Sequence, residues 1–112
     1  MVTDQETHEI VLRTDGGPQI GYGHLIRSSA LAEELYSRGY EITVATTTPM
    51  SAQAVFPDGV IVCTLPRRGD PAPFVEWLDR ETPVVVFTDA YPVDRAYQRA
   101  VRDQVPLAVM QD

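Results

Sequence analysis

Five short apolar runs alternate with helix-forming segments along this chain of 112 residues. The runs lie at 9–14, 41–46, 60–65, 83–88 and 106–110, and the first four are rich in β-branched residues. Apolar periodicity and helix-start signals predict helices between them, over 25–38, 49–55, 71–80 and 93–103. Strands that alternate with helices form right-handed βαβ units. The pattern therefore predicts an α/β fold with a doubly wound, Rossmann-like parallel sheet of about five strands.

The predicted strand order is 3-2-1-4-5, which makes the strands at 9–14 and 83–88 neighbours. Ligands of such sheets bind at the carboxyl ends of the strands, at the point where the strand order reverses. We therefore expect the residues that follow these two strands to form the functional site. Residues 1–8 are polar and are expected to be a disordered lead-in, with 9–112 forming a single domain.

Composition argues against several classes of protein. The formal net charge of −7 is opposite to the basic footprint of a nucleic-acid-binding protein. No apolar run approaches the ~20 residues that span a bilayer, and the first residues lack an export signal, so a cytoplasmic protein without a membrane span is expected. Cys63 is the only cysteine, which leaves no cysteine-built metal site, and neither a metal nor a cofactor is expected.

A glycine-rich loop, Asp15–His24, connects the first strand to the first helix. Its four glycines permit positive φ angles and close approach of a ligand to the backbone; they are Gly16, Gly17, Gly21 and Gly23. The start of the following helix offers unpaired N–H groups and a positive dipole end, so the loop predicts an oxyanion site. A dinucleotide fingerprint is excluded by Ile26, and a P-loop by the absence of any lysine. A tight turn without a ligand is the alternative interpretation.

His24 and two residues after the fourth strand are the candidate functional side chains. An uncharged imidazole can accept a proton as a general base, so His24 is the candidate catalytic residue. Asp89 and Tyr91 are expected beside the loop at the point where the strand order reverses. Asp89 can orient water or a sugar hydroxyl, and Tyr91 offers a hydroxyl and a ring for stacking. Turn and packing roles are the alternatives for both.

Three segments carry a resemblance to a known family. Arg13–Gly17, continued by Ile20–His24 and Arg27, resembles the start of the UDP-sugar hydrolase of pseudaminic acid biosynthesis and of related spore-coat polysaccharide proteins. Phe87–Tyr91 is similar to the Asp-x-Tyr segment that follows a strand in that family, and Val109–Asp112 to its next strand end. The resemblance spans nearly the whole chain.

The resemblance implies a GT-B-type fold of two Rossmann-like domains, with this chain as part of the N-terminal domain. It implies a metal-independent attack of water on the anomeric carbon of a UDP-linked diacetamido trideoxy sugar, which releases UDP in surface polysaccharide or nonulosonic acid biosynthesis. By the same resemblance His24 is the general base and Tyr91 contacts the substrate. By the resemblance, Asp15, Gly21, Gly23 and Arg27 shape the pocket. The predicted substrate-binding residues besides Tyr91 are Asp15, Gly16, Gly17, Gly21, Tyr22, Gly23, Arg27 and Asp89.

In a GT-B-type fold most UDP contacts come from a C-terminal domain that these residues do not include, so the chain alone is expected to be inactive.

Two further possibilities for function stay open. The first alternative is a GT-B glycosyltransferase that transfers the sugar to an acceptor. The second is a non-catalytic binding or assembly module, in which the loop holds an anion and an exposed edge strand recruits a partner, for example in a homodimer.

Overall fold

One parallel sheet organises the chain, as the alternating pattern predicts. The computed structural model describes residues 9–90 and 94–110. Its five strands form a sheet in the order β3-β2-β1-β4-β5, which confirms both the α/β class and the predicted strand order. The elements in chain order are β1 (Glu9–Thr14), α1 (Gly23–Ser37), β2 (Glu41–Thr46), α2 (Pro49–Val55), β3 (Ile61–Thr64), α3 (Ala72–Glu81), β4 (Val85–Asp89), α4 (Arg95–Arg102) and β5 (Leu107–Met110).

Helices cover both faces of the central strands. Leu12 and Val44 join Leu25 of α1 in a core on one face, while Val86 joins Phe74 on the other. Burying a side chain of this size contributes roughly 1.5–3 kcal/mol. Strands β1 and β4 are therefore packed on both faces of the sheet, and this packing fixes the positions of their carboxyl ends.

Register brings the ends of β1 and β4 together. The two strands pair in parallel from Ile10 with Val85 to Thr14 with Asp89. Asp89, the last residue of β4, consequently lies beside the residue from which the glycine-rich loop departs. This is the edge of the sheet at which the strand order reverses and at which ligands of such sheets bind.

Some helix boundaries differ from the predicted ones. Helix α3 begins at Ala72 and not at Pro71, although Asp70 Oδ1 accepts a hydrogen bond from the Ala72 N–H at 3.0 Å, as expected of a capping residue. Helix α4 begins after Asp94, whose side chain accepts from the N–H of Tyr97 at 2.8 Å. The predicted start of α4 at 93 and the predicted lead-in over 1–8 lie outside the described residues.

Helix lengths bear on membrane insertion. The longest helix, α1, has 15 residues. Within residues 9–90 and 94–110, no helix combines the length and the apolar character that crossing a bilayer requires.

Candidate functional site

Three side chains from α1 and β4 meet at the carboxyl edge of the sheet. His24 and Arg27 lie one turn apart on α1, on the same side of the helix. Nδ1 of His24 is 2.5 Å from Oδ1 of Asp89. Arg27 donates from Nε to Oδ2 at 3.0 Å and from Nη2 to Oδ1 at 2.8 Å. Asp89 thus contacts the imidazole of His24 and two nitrogens of the Arg27 guanidinium. We call these three residues the His–Asp–Arg cluster.

The contact between His24 and Asp89 determines which imidazole nitrogen is free. An ionised carboxylate only accepts hydrogen bonds, so Nδ1 of His24 carries the ring proton and donates a hydrogen bond to Oδ1 of Asp89. In the neutral ring, Nε2 is then the acceptor. Nη2 of Arg27 also lies 3.1 Å from Nδ1, because both donors converge on Oδ1 of Asp89.

Exposure divides the cluster into an inner and an outer part. The side chain of Asp89 is 9% exposed, whereas that of His24 is 30% exposed and that of Arg27 52%. The carboxylate is therefore shielded from competing water, and the imidazole faces the solvent side of the sheet edge. This is the arrangement of a histidine that is oriented by an acid and accessible to a small reactant.

A cleft of about 360 Å³ adjoins the cluster, between α1 and strands β4 and β5. Arg27 and Asp89 line one part of it, and Leu31, Phe87 and Val109 give it an apolar wall. Ser28 and Thr88 complete the lining. Small-molecule sites are commonly of this kind, with an apolar body and a few polar groups that fix orientation.

The glycine-rich loop is closed by its own hydrogen bonds. Gly17 and Gly21 form an antiparallel bridge, in which each N–H donates to the carbonyl of the other, at 3.0 and 2.7 Å. The N–H of Gly16 donates to Oγ1 of Thr48 at 3.1 Å. These three N–H groups are therefore engaged with protein acceptors. Backbone donors for the expected oxyanion site include those in the first turn of α1, where Tyr22 is the N-cap and provides no side-chain cap.

Gly16 is required by packing, and its replacement gives a testable prediction. A Cβ on Gly16 would lie 2.5 Å from Cγ of Leu25, which is buried in the core. Gly16→Ala should lower the free energy of unfolding by about 1–3 kcal/mol in urea denaturation. Gly23→Ala is the matched control, because a Cβ there meets no atom of the described residues within 4 Å and lies in a helical segment. This control should keep or slightly raise stability, and equal losses in both variants would contradict the packing role.

Arg13 is a charged side chain at the centre of the sheet. It is fully buried in β1 and donates from Nη1 to Asp15 at 2.9 Å, from Nε to the hydroxyl of Tyr97 at 2.8 Å, and from Nη2 to the carbonyl of Arg68 at 3.1 Å. Burial acts to lower the pKa of Arg13, but the bond to Asp15 and the neighbouring Tyr97 raise it above its ordinary value. The guanidinium therefore ties β1 to α4 and to the loop after β3.

Asp15 is the first residue of the glycine-rich loop, and its buried side chain joins the ends of β1 and β2. Its side chain is 1% exposed, and Oδ1 accepts from Arg13, from Oγ1 of Thr46 at 3.1 Å and from the N–H of Thr47 at 2.7 Å. Burial acts to raise the pKa of Asp15, but Arg13 and Thr47 outweigh it and hold that pKa below its ordinary value. Asp15 thus supports the loop from inside the protein.

The lowered pKa of Asp15 predicts a loss of stability in acid. The unfolded chain binds more protons than the folded one below the ordinary aspartate value of about 3.9, so this contribution is present above that pH and is lost as the pH falls through the folded pKa. Asp15→Asn should be less stable than the wild type at pH 7, with a gap that narrows as the pH is lowered towards 2. Urea denaturation over this range measures the gap, and a gap independent of pH would contradict the assignment.

The structure therefore brings together three of the sequence-predicted site residues, namely His24, Arg27 and Asp89. Gly16, Gly17 and Gly21 shape the adjoining loop, and Tyr22 and Gly23 begin α1. Tyr91 lies outside the described residues. Arg13, Tyr97 and Arg68 were missed at the sequence level, although a charged residue inside an apolar strand is itself a signal of a buried ion pair.

Comparisons of the chain with protein-family models, with curated proteins and with solved structures found no significant match. The fold and the site define the class: an α/β protein with a Rossmann-like parallel sheet and a His–Asp–Arg cluster at the edge where its strand order reverses. Among residues 9–90 and 94–110, no three His, Cys, Asp or Glu side chains are grouped so that they could hold a metal ion.

Proposed function

We propose that the chain is the N-terminal portion of a nucleotide-sugar hydrolase, which cleaves a UDP-linked diacetamido trideoxy sugar to free sugar and UDP in the cytoplasm. The contact between His24 and Asp89 carries the proposal, because it leaves Nε2 of His24 as a base at the ligand-binding edge of the sheet. The resemblance of the loop and of the segment after β4 supports the substrate class. A second Rossmann-like domain of a GT-B-type fold would supply most contacts to UDP.

In the proposed reaction, Nε2 of His24 takes a proton from a water molecule as the water oxygen attacks the anomeric carbon of the sugar. The bond from that carbon to the β-phosphate oxygen breaks, and its electron pair leaves on UDP. The sugar keeps the hydroxyl from water, and the imidazolium then returns its proton to solvent. General base catalysis of this kind contributes about 10²–10⁴-fold in rate.

Asp89 and Arg27 act through His24 in this proposal. The carboxylate fixes the imidazole ring and its proton on Nδ1, and it faces the positive charge that develops on the ring. Arg27 holds the carboxylate through two hydrogen bonds, so that Asp89 cannot rotate away from His24 without breaking them. Both are therefore positioning residues for His24, and both also line the adjoining cleft that would hold the sugar.

The volume and the lining of the adjoining cleft favour a sugar substrate that carries methyl groups. Its volume of about 360 Å³ suits one sugar ring with substituents, and Leu31, Phe87 and Val109 form an apolar wall. A deoxygenated carbon and the methyls of acetamido groups are apolar, whereas the ring hydroxyl and the amides can reach Arg27 and Asp89. A fully hydroxylated sugar would place polar groups against the apolar wall at a cost in affinity.

Product analysis tests the proposal. The complete reading frame that contains these residues is incubated with UDP-linked acetamido sugars, with and without a chelator, and the products are separated by chromatography. Free sugar and UDP in equal amounts, at a rate unaffected by the chelator, are expected. Sugar attached to an acceptor would decide for a glycosyltransferase. No turnover, no heat on calorimetric titration with UDP and a stable dimer in light scattering would decide for an assembly module.

A further inference from the structure

A second cleft, of about 240 Å³, lies between the glycine-rich loop, the start of α2 and the loop after β3. Residues 16–20 of the glycine-rich loop line it together with Thr48, Ser51 and Arg68. It shares no lining residue with the cleft beside Asp89. It is therefore a separate cavity at the same edge of the sheet, above the end of β2.

The second cleft carries a positive charge in an acidic protein. The chain has 16 acidic and 9 basic residues, yet none of the described residues that line this cleft is acidic. Nε of Arg68 lies 3.6 Å from Oδ2 of Asp15, but that carboxylate is already hydrogen-bonded to Arg13 at 2.9 Å. One carboxylate thus faces two guanidinium groups. This group of one carboxylate and two guanidinium groups has a net charge of +1, and Arg68 is the member that lines the cleft.

Arg68 is held in place but is not saturated with hydrogen bonds. Its main-chain carbonyl accepts from Nη2 of Arg13 at 3.1 Å, which fixes the backbone from below. Its buried Nε and the buried Oδ2 of Asp15 that it faces both lack a hydrogen-bond partner among the described residues, and the Arg68 side chain is 35% exposed. A buried donor without an acceptor is unfavourable. An anionic ligand in the cleft would supply acceptors to the exposed part of the guanidinium, while Nε keeps its ion pair with Oδ2 of Asp15.

The geometry points to a phosphate-binding site in this second cleft, with Arg68 as its principal ligand. A guanidinium presents a planar fork that matches two phosphate oxygens, and Ser51 and Gln19 add hydroxyl and amide donors to the lining. The volume admits a phosphate or a diphosphate group. The group can come from free phosphate or from a nucleoside diphosphate. The site does not depend on chemistry at His24, because no residue of the His–Asp–Arg cluster lines it.

Titration of the ¹⁵N-labelled chain by nuclear magnetic resonance tests the inference. Inorganic pyrophosphate is added at constant ionic strength, and shifts are expected at the amides of Gly17 and Ser51 and at Nε–H of Arg68. Arg68→Gln should weaken binding by about 10- to 100-fold, since hydrogen bonds to charged groups contribute about 1.5–3 kcal/mol. A parallel titration with UDP distinguishes free phosphate from a nucleoside diphosphate as the ligand. If UDP and pyrophosphate bind with equal affinity, the site recognises the phosphates alone, and if UDP binds more tightly, it recognises a nucleotide.

Arg67→Gln is the matched control for this titration. Arg67 is the preceding residue, is 67% exposed, pairs with Asp70 at 2.9 Å and does not line the cleft. Its variant should bind pyrophosphate as the wild type does. Arg68→Lys keeps the charge without the fork and should weaken binding about 10-fold, which preserves the test if Arg68→Gln does not fold. Absence of shifts, or equal weakening in the Arg67 and Arg68 variants, would overturn the inference. His24→Asn should leave pyrophosphate binding unchanged, which separates this site from the proposed hydrolysis.

Discussion

Replacing Arg13 by methionine should lower the free energy of unfolding by about 3–5 kcal/mol, because a buried ion pair loses one partner. Methionine fills a similar volume but leaves the buried carboxylate of Asp15 without its cation and the hydroxyl of Tyr97 without its donor. Domains of this size are stable by only about 5–15 kcal/mol in total. Urea denaturation followed by circular dichroism measures the loss.

Arg38→Met is the matched control for this substitution. Arg38 follows the end of α1, is 66% exposed and pairs with Glu34 at 2.7 Å. Exposed pairs of this kind contribute about 0.2–1 kcal/mol, so the control should lose no more than that. If the Arg13 and Arg38 variants lose the same stability, the buried network does not hold the sheet edge together as described.

His24→Asn should reduce kcat for UDP-sugar hydrolysis by about 10²–10⁴-fold in the complete reading frame, with little change in KM. The amide nitrogen of asparagine can occupy the position of Nδ1 and still donate to Asp89, whereas nothing takes the place of Nε2. The substitution therefore removes the proposed base while it keeps the contact that orients it. Initial rates over a range of substrate concentrations separate the two constants.

Two companion variants complete the experiment on His24. Asp89→Asn keeps the size of the side chain but removes its charge, so kcat and its dependence on pH should both change while the substrate still binds. Glu33→Gln, an exposed change on α1 outside the cluster, should leave both constants unchanged. Wild-type turnover by His24→Asn would remove His24 from the proposed mechanism.

The fold could be predicted from the sequence because each element carries a local signal. The β-branched run of β2 indicates a strand without reference to the rest of the chain, and Gly39 marks the end of α1 with a φ of 94°. Helix starts were less exact, as α3 shows. Pro71 favours the first helical position, but the helix begins one residue later, with Asp70 capping Ala72.

Topology explains which part of the candidate site was predictable. The ends of β1 and β4 had to meet once the strand order was known, so His24 and Asp89 could be placed at the same edge. Arg27 lies three residues after His24 and shares its side of the helix. Arg13 and Tyr97 are 84 residues apart in sequence, and no local pattern connects them.

The glycine-rich loop shows a different limit of sequence reasoning. Four glycines predict backbone freedom, but they do not say whether the loop's N–H groups face a ligand or one another. Here Gly17 and Gly21 pair with each other and Gly16 bonds to Thr48, which follows β2. The partners of these groups depend on how the loop closes over the neighbouring strand, which is a tertiary property.

Hydrolysis of the UDP-sugar in water enriched with ¹⁸O tests the central claim most directly, because it reports which bond breaks beside His24. Attack at the anomeric carbon places the label in the free sugar and leaves UDP unlabelled, and mass spectrometry of both products after a single turnover distinguishes the two positions. The proposed reaction predicts one ¹⁸O atom in the sugar. Label in the β-phosphate of UDP, with none in the sugar, would contradict it.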